Sequence, residues 1–247
     1  MFINHPFFTP DNWFSLPWAI AHWQINGYGI LTMLWNLLLI VVPALLALAL
    51  AALYRKTKFK NYWSMLGGWL LFLLWFLFIP NTAYVITDVR HLISYCPADS
   101  EFRVCSAGAW MIPVFFTYGL LGWLSLVYLI NQFKAVVGTI LKPKWVAIFP
   151  LAMMPLITLG VLLGLLNRFN SWEFFLNPSQ ILVTAGTYFA SWDYFFNFLI
   201  FWLFFSMLYW LGDYVLRPLP WLKLTTKVSR LKYGLSKSRQ GRRSGRQ

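Results

Sequence analysis

Two polar segments, each directly after a long apolar run, hold the side chains that could carry chemistry. In the first segment, Asp88 and His91 lie three residues apart. On a helix, residues at this spacing share a face and lie within hydrogen-bonding reach of each other. A carboxylate that holds one imidazole nitrogen leaves the other free as a base. The pair therefore indicates proton transfer, although an interfacial helix whose polar face simply meets water would carry the same pattern.

The second segment combines a cation with a helix-capping pattern. Asn170 and Glu173 have the offset of a capping box, which alone would explain both residues. Arg168 follows the apolar run, where it could hold an anion or simply extend to lipid headgroups. Because both segments fall on the same side of the predicted topology, we hypothesise that they form one site. Its catalytic residues would be Asp88, His91 and Glu173, and its ligand-binding residues would be Asn81, Arg90, Arg168 and Asn170.

The same residues give little support for a metal or a known cofactor. Asp88, His91 and Glu173 could supply three ligands, but from two separate segments, so no metal site is predicted. The sequence carries no phosphate-binding loop, no paired-cysteine metal motif and no Gly-x-Ser-x-Gly elbow. The cofactor is therefore unknown, and the sequence leaves it uncertain whether the protein is an enzyme.

Five apolar runs must position these two segments. The chain is 60% hydrophobic and 11% charged, whereas soluble domains are roughly 25% charged. A helix needs about 20 apolar residues to cross a bilayer, and the runs near or above this length are residues 28–53, 62–79, 107–130, 145–166 and 193–216. The predicted fold is all-α, a polytopic transmembrane helix bundle of about five spans, with short interfacial helices on its outer face.

The positions of the basic residues predict how this bundle is oriented. Of the 20 Lys and Arg residues, all except Arg90, Arg103 and Arg168 follow the first, third and fifth runs. Cytoplasmic loops of membrane proteins carry such an excess of positive charge. We therefore predict an N-terminus outside, a cytoplasmic C-terminus and two polar segments that face outward. The net charge of +13 serves this orientation and does not indicate nucleic-acid binding.

Three regions follow one another along the chain. Residues 1–26 are rich in Phe and Trp and nearly free of charge, and we place them along the outer interface, where aromatic rings are favoured. Residues 27–216 form the transmembrane helical domain. Residues 217–247 form a polybasic cytoplasmic tail, which we predict to be disordered and attracted to anionic lipid headgroups.

Two cysteines, Cys96 and Cys105, both lie in the predicted outer loop between the second and third spans. An oxidising exterior permits a disulfide between them, and closing this short loop would contribute roughly 2 to 3 kcal/mol. Two free thiols are the alternative. Thiol labelling without reductant distinguishes the two states.

The two polar segments also carry a resemblance. The first reads Pro-Asn-Thr-Ala-Tyr-Val-Ile-Thr-Asp-Val-Arg-His-Leu, and the second reads Arg-Phe-Asn-Ser-Trp-Glu, followed by Asn177 and Pro178. Together they resemble the bacterial membrane-protein family catalogued as domain of unknown function 1361, over roughly residues 31–216. The resemblance implies a multi-pass protein of the bacterial plasma (inner) membrane with no assigned activity, and it transfers no catalytic residue.

Three classes of function compete at this stage. The first is an outer-face site for an anionic or lipid-linked ligand, in which Arg168 and Arg90 hold the anion. The second is a structural or assembly partner of other membrane proteins, which would use the many aromatic faces. The third and least favoured is a transporter, because ion-coupled carriers need ionisable groups at mid-membrane and the five predicted spans offer none there.

Overall fold

The computed structural model describes residues 24–25, 28–92, 109–138 and 141–216. Cys96 and Cys105, the polybasic tail and nearly all of the aromatic N-terminal segment lie outside the described residues, so the predictions made for them stay predictions. A pair of two-residue antiparallel strands, β1 (Gln24–Ile25) and β2 (Tyr28–Gly29), leads into the first helix.

Helices make up almost all of the described chain and confirm the all-α prediction. They are α1 (Ile30–Thr57), α2 (Tyr62–Phe78), α3 (Pro80–Thr87), α4 (Met111–Val137), α5 (Pro143–Asn167), α6 (Glu173–Leu176), α7 (Pro178–Ala190) and α8 (Trp192–Leu216), with a 3₁₀ turn at Asp88–Leu92. Five helical stretches are long and apolar enough to cross a membrane: Ile30–Thr57, Tyr62–Leu92, Met111–Val137, Pro143–Asn167 and Trp192–Leu216. The protein is therefore a multi-pass membrane protein.

The bundle has two chemically different ends. At one end α1 turns into α2 through Lys58 and Lys60, and α5 begins after Lys142. We call this the basic end. At the opposite end lie the start of α1, the 3₁₀ turn that holds Asp88, and the loop after α5. We call it the Asp88 end.

Large aromatic side chains fill the core toward the basic end. Trp75 is fully buried and stacks on Phe133 with ring centroids 3.9 Å apart, and Phe133 in turn stacks on Phe149 at 5.5 Å. Nearby, Asn131 donates to Asp213 at 2.9 Å and accepts from the Tyr209 hydroxyl at 3.1 Å. These contacts pack α4 against α2, α5 and α8 at the basic end of the bundle.

The second span is longer than the sequence indicates. We expected it to end at residue 79 and to continue as an interfacial helix, but α3 and the 3₁₀ turn extend it through Leu92. Pro80 starts α3 as its first residue, where the missing N–H costs no hydrogen bond. The segment then continues into the bundle between α4 and α5.

Two glycines make room for this inserted segment. A Cβ on Gly122 of α4 would lie 2.8 Å from the carbonyl oxygen of Thr82, and one on Gly160 of α5 would lie 2.7 Å from Pro80 Cγ. Small residues let helix backbones approach closely in membranes. Gly160 belongs to a small-xxx-small pair with Gly164 in the sequence, and the structure identifies α3 as the helix that this pair contacts.

The inserted segment turns its acidic side chain into the bundle. Asp88 is 0% exposed and Val85 is buried, whereas Val89 is 48% exposed. Ionisable side chains within membrane bundles face the interior, where other polar groups can pair with them. The alternative of an interfacial helix whose polar face meets water therefore does not describe Asp88, and hydrophobic periodicity alone left this open because it cannot distinguish water from lipid.

Candidate functional site

A buried hydrogen-bonded cluster surrounds Asp88. The Tyr28 hydroxyl donates to Asp88 Oδ2 at 2.8 Å. The Asn36 side-chain amide donates to the Tyr28 oxygen at 2.8 Å and reaches Asp88 Oδ2 at 3.5 Å. Because a buried charge is costly unless polar groups surround it, these donors are what allow Asp88 to remain inside the bundle.

Three different elements supply this cluster. Tyr28 comes from β2, Asn36 lies almost two turns into α1, and Asp88 begins the 3₁₀ turn. Tyr118 of α4 borders the cluster and donates to the Met33 carbonyl at 3.3 Å. Burial first, and then the nearby charge of Asp88, raise the pKa of the Tyr28 phenol well above its ordinary value. Tyr28 therefore stays protonated and acts as a hydrogen-bond donor.

His91 meets the cluster through its ring. Its imidazole stacks on the Tyr28 ring, with centroids 4.1 Å apart and planes 13° from parallel, and lies 6.0 Å from the Phe115 ring. Tyr28 thus contacts both members of the predicted pair, Asp88 by its hydroxyl and His91 by its ring. The structure brings the two residues into one cluster, and Tyr28 is a member that the sequence gave no reason to choose.

Arg90 lies at the edge of the same cluster. Its guanidinium is 3.9 Å from Asp88 Oδ1 and donates to the Tyr84 hydroxyl at 3.3 Å. The Arg90 side chain is partly exposed, whereas Asp88 is buried. Arg90 therefore connects Asp88 to Tyr84, and Tyr84 lines an opening at this end of the bundle.

That opening is a cavity of about 580 Å³ between α1, α3, α5 and α7. This volume lies within the range of roughly 300 to 1,000 Å³ that is usual for small-molecule sites. Its walls are mostly apolar, with leucines from α1, α5 and α7. Its polar lining comes from both predicted segments and from α1: Thr32, Asn36, Asn81, Tyr84, Arg168, Asn170 and Ser171.

The cavity is elongated along α5. Leu156 and Arg168 both line it and stand twelve positions apart in the sequence, which corresponds to about 18 Å along a helix axis. Leu156 lies toward the middle of the bundle and Arg168 at its end. The apolar part therefore extends inward from a charged mouth.

Arg168 is held at this mouth by an unusual backbone conformation. It ends α5 in the left-handed region with a φ of 62°, and the next N–H, of Phe169, bonds the Leu163 carbonyl at 3.1 Å. Glycine is the usual residue in such a helix ending, and another residue there costs about 1 to 2 kcal/mol. Among the described residues, the Arg168 side chain makes no hydrogen bond or ion pair. Strain of this kind is often retained where a side chain serves a function.

Half of the predicted capping box is present in the loop that follows. Glu173 Oε2 accepts from the Asn170 backbone N–H at 3.0 Å, and the Glu173 N–H bonds the Asn170 carbonyl at 3.0 Å. Asn170 lines the cavity, whereas the Glu173 carboxylate is used in this cap and is not part of the lining. Of the three predicted catalytic residues, Glu173 is thus the one that the structure places apart from the Asp88 cluster.

One hydrogen bond joins the two predicted segments directly. Asn81 donates to the Ser171 hydroxyl oxygen at 3.1 Å and to the Phe78 carbonyl at 2.9 Å. Asn81 and Ser171 therefore connect the two segments. Within the described ranges, no group of three His, Cys, Asp or Glu side chains could hold a metal ion.

Comparison with known proteins gives one match. Residues 35–211 match the model of a family described as "Protein of unknown function (DUF1361)". The chain belongs to this family. No curated protein and no solved structure matches it significantly.

The DUF1361 match covers most of the site but not all of it. Asn36, Asp88 and Arg168 lie within residues 35–211, whereas Tyr28 precedes them. Both polar segments and most of the cavity lining therefore belong to the DUF1361 region of the chain, whereas Leu31 and Thr32 of the lining precede it. The tyrosine that donates to Asp88 comes from the segment just before it.

Proposed function

We propose that this DUF1361 protein binds an amphiphilic ligand whose apolar chain occupies the cavity and whose anionic head lies beside Arg168. This proposal rests on the shape and lining of that cavity, which is apolar along α5. Among its described lining residues, Arg168 is the single cation. A soluble anion would gain nothing from the leucine walls. A hydrocarbon would gain nothing from the guanidinium, so a molecule with both parts fits best.

Burial of the chain and pairing of the head would act together. Each methylene removed from water contributes about 0.8 kcal/mol, and a charge-assisted hydrogen bond to a guanidinium contributes about 1.5 to 3 kcal/mol. Asp88 adjoins the cavity through Asn36, which lines it. The contacts support binding directly, and proton transfer stays a prediction from the sequence.

The structure gives less support to the other two classes of function, an assembly partner and a transporter. Exposed aromatic residues such as Trp192 are what lipid contact requires, so they do not favour an assembly partner. The sequence argued against a transporter because the five predicted spans held no ionisable group. The structure changes this argument, because Asp88 lies inside the second candidate span, Tyr62–Leu92. One buried carboxylate at the end of a bundle does not by itself form a path across it, and the binding proposal accounts for more of the residues.

Filling the cavity tests this proposal. Ala185 lines the cavity, whereas Val183 on the same helix is 72% exposed and faces away from it. We expect Ala185→Trp to lose most of the phosphatidylglycerol that wild-type protein retains in mild detergent, because the indole occupies the space of the chain. Native mass spectrometry measures the retained lipid, and Val183→Trp is the matched control. Equal retention by both variants would refute the binding site.

We further propose that the protein lies in the bacterial inner membrane with its N-terminus outside and its C-terminus in the cytoplasm. The support is the charge distribution, in which Lys58, Lys60 and Lys142 share one end of the bundle, as the positive-inside rule requires. The Asp88 end, with the cavity mouth, then faces the extracytoplasmic side. The ligand would enter from the outer leaflet.

Reporter fusions test this orientation. We expect a cytoplasm-active reporter at Gln247 to be functional, and a periplasm-active reporter at position 99 to be functional, because the basic loops resist translocation. The two fusions with exchanged reporters are the controls. An extracytoplasmic Gln247 would reverse the proposed access route, although the binding cavity itself would remain.

A further inference from the structure

We infer that the head of the bound amphiphile carries a hydrogen-bond donor, a hydroxyl or an ammonium group, in addition to its anion. This inference rests on the proposed binding function and specifies its ligand class. It follows from two asparagines, Asn36 and Asn81, which line the cavity from different helices. Each presents its carbonyl oxygen to the cavity, because both N–H groups are already used elsewhere.

The orientation of the Asn36 amide is determined by its partners. Its nitrogen donates to the Tyr28 oxygen at 2.8 Å and to Asp88 Oδ2 at 3.5 Å. The Tyr28 hydroxyl uses its hydrogen for Asp88, so its oxygen can only accept from Asn36, and the amide nitrogen must face the cluster. The Asn36 Oδ1 atom then points away from Tyr28 and Asp88, and the neighbouring Tyr118 hydroxyl uses its hydrogen for the Met33 carbonyl. Tyr28 and Asp88 therefore position a hydrogen-bond acceptor in the cavity.

The Asn81 amide is fixed in the same way. Its nitrogen donates to the Phe78 carbonyl at 2.9 Å and to Ser171 Oγ at 3.1 Å. A backbone carbonyl has no hydrogen to donate, so the amide cannot be reversed without losing this bond. Asn81 Oδ1 is left as a second acceptor, and it receives no hydrogen bond from the part of the chain that the structure describes.

Groups of the opposite character lie beside these acceptors. Ser171 Oγ accepts from Asn81, so its own hydrogen is available to donate, and the Arg168 guanidinium can only donate. Arg168 and Ser171 thus suit a phosphate or carboxylate, while Asn36 and Asn81 suit a donor. An alcohol or amine linked to a phosphate has both parts, as the headgroups of glycerol and ethanolamine phospholipids do. A phosphate ester without a donor would leave the Asn36 and Asn81 oxygens without a partner on the ligand.

A pair of lipids with equal charge and equal chains tests this specificity. Phosphatidylglycerol and phosphatidylmethanol both carry one negative charge, but the methanol ester has no hydroxyl donor. We expect wild-type protein in mild detergent to bind phosphatidylglycerol about tenfold more tightly, because binding the methanol ester leaves acceptors unsatisfied. Native mass spectrometry during lipid titration gives both affinities.

Variants assign the preference to the two asparagines. We expect Asn36→Leu and Asn81→Leu each to reduce the preference for phosphatidylglycerol to about threefold, with little change in the affinity for phosphatidylmethanol. Asn197→Leu is the matched control, because Asn197 is an exposed asparagine of α8 outside the cavity lining. If Asn36→Leu fails to fold, Asn81→Leu carries the test alone. Glycerol phosphate without chains is added as a competitor, and we expect it not to displace the lipid.

The outcomes separate this inference from the proposed function. Equal binding of the two lipids, with both weakened by Arg168→Gly, would overturn the donor requirement and leave the binding site in place. Binding of neither lipid, or binding unaffected by Ala185→Trp, would overturn the proposed function itself. Displacement by glycerol phosphate would show a site for the soluble headgroup, which also contradicts an amphiphilic ligand.

Discussion

Asp88→Leu is expected to reduce the stability of the folded bundle by about 1 to 3 kcal/mol, because the buried Tyr28 hydroxyl loses its acceptor. The Asn36 amide, which is partly buried, loses only a contact of 3.5 Å and keeps the Tyr28 oxygen at 2.8 Å. Water cannot replace the carboxylate, since Asp88 is fully buried. Unfolding in detergent micelles with increasing SDS measures the loss, and the fraction of monodisperse protein after heating gives a second reading.

Asp88→Asn is the matched control for this prediction. The asparagine keeps a side-chain oxygen that can accept from Tyr28 and removes the negative charge, so we expect it to retain most of the stability. Equal stability of the leucine variant and the wild type would show that the cluster does not hold β2 and α1 to the 3₁₀ turn.

The second large effect is expected at Arg168, where binding and stability should change in opposite directions. We expect Arg168→Gly to weaken binding of an anionic phospholipid roughly 10- to 100-fold, the loss of a charge-assisted pair. The same variant should be as stable as the wild type or more stable, by roughly 1 kcal/mol, because glycine adopts the left-handed conformation without strain. Lipid titration and SDS unfolding of the same preparation measure the two quantities.

Two further substitutions at position 168 separate charge from backbone conformation. Arg168→Lys keeps the charge and the strain, so we expect it to bind with intermediate affinity. Arg168→Ala loses the charge and keeps the strain, so it should bind as weakly as the glycine variant but be less stable. A glycine variant that binds the lipid as tightly as the wild type would show that the guanidinium does not hold the head, and the strained helix ending would then lack a functional explanation.

The helical elements of this protein could be predicted well because they depend on local composition. Long apolar stretches cannot cover their backbone polar groups in a membrane unless they are helical, so five spans follow from the sequence. The contact of the Glu173 side chain with the Asn170 N–H was also predictable, since it joins residues three positions apart. The end of the second span was not, because a polar sequence after a proline has the same composition on a membrane surface and inside a bundle.

The candidate site was predictable only in part. Asp88, His91, Asn81 and Arg168 attracted attention because polar residues are rare in this chain, and the structure brings all four to one end of the bundle. Tyr28 and Ser171 gave no such signal, because a single tyrosine or serine near a helix end is common. Asn36 was visible as a polar residue within a span, but nothing in its neighbourhood indicated Asp88, 52 positions away, as its partner.

By itself, the sequence determined the helical class, the alternation of apolar spans and charged loops, and the residue types available for a site. These follow from properties of neighbouring residues: hydrophobicity over a span length, charge at its ends and capping offsets. Only the tertiary structure decided that α3 inserts between Gly122 and Gly160, that Asp88 is buried, and that Asn36 and Asn81 line one cavity. These features depend on contacts between residues far apart in the chain, and the direction of a hydrogen bond is set by the partner it meets, which local sequence does not contain.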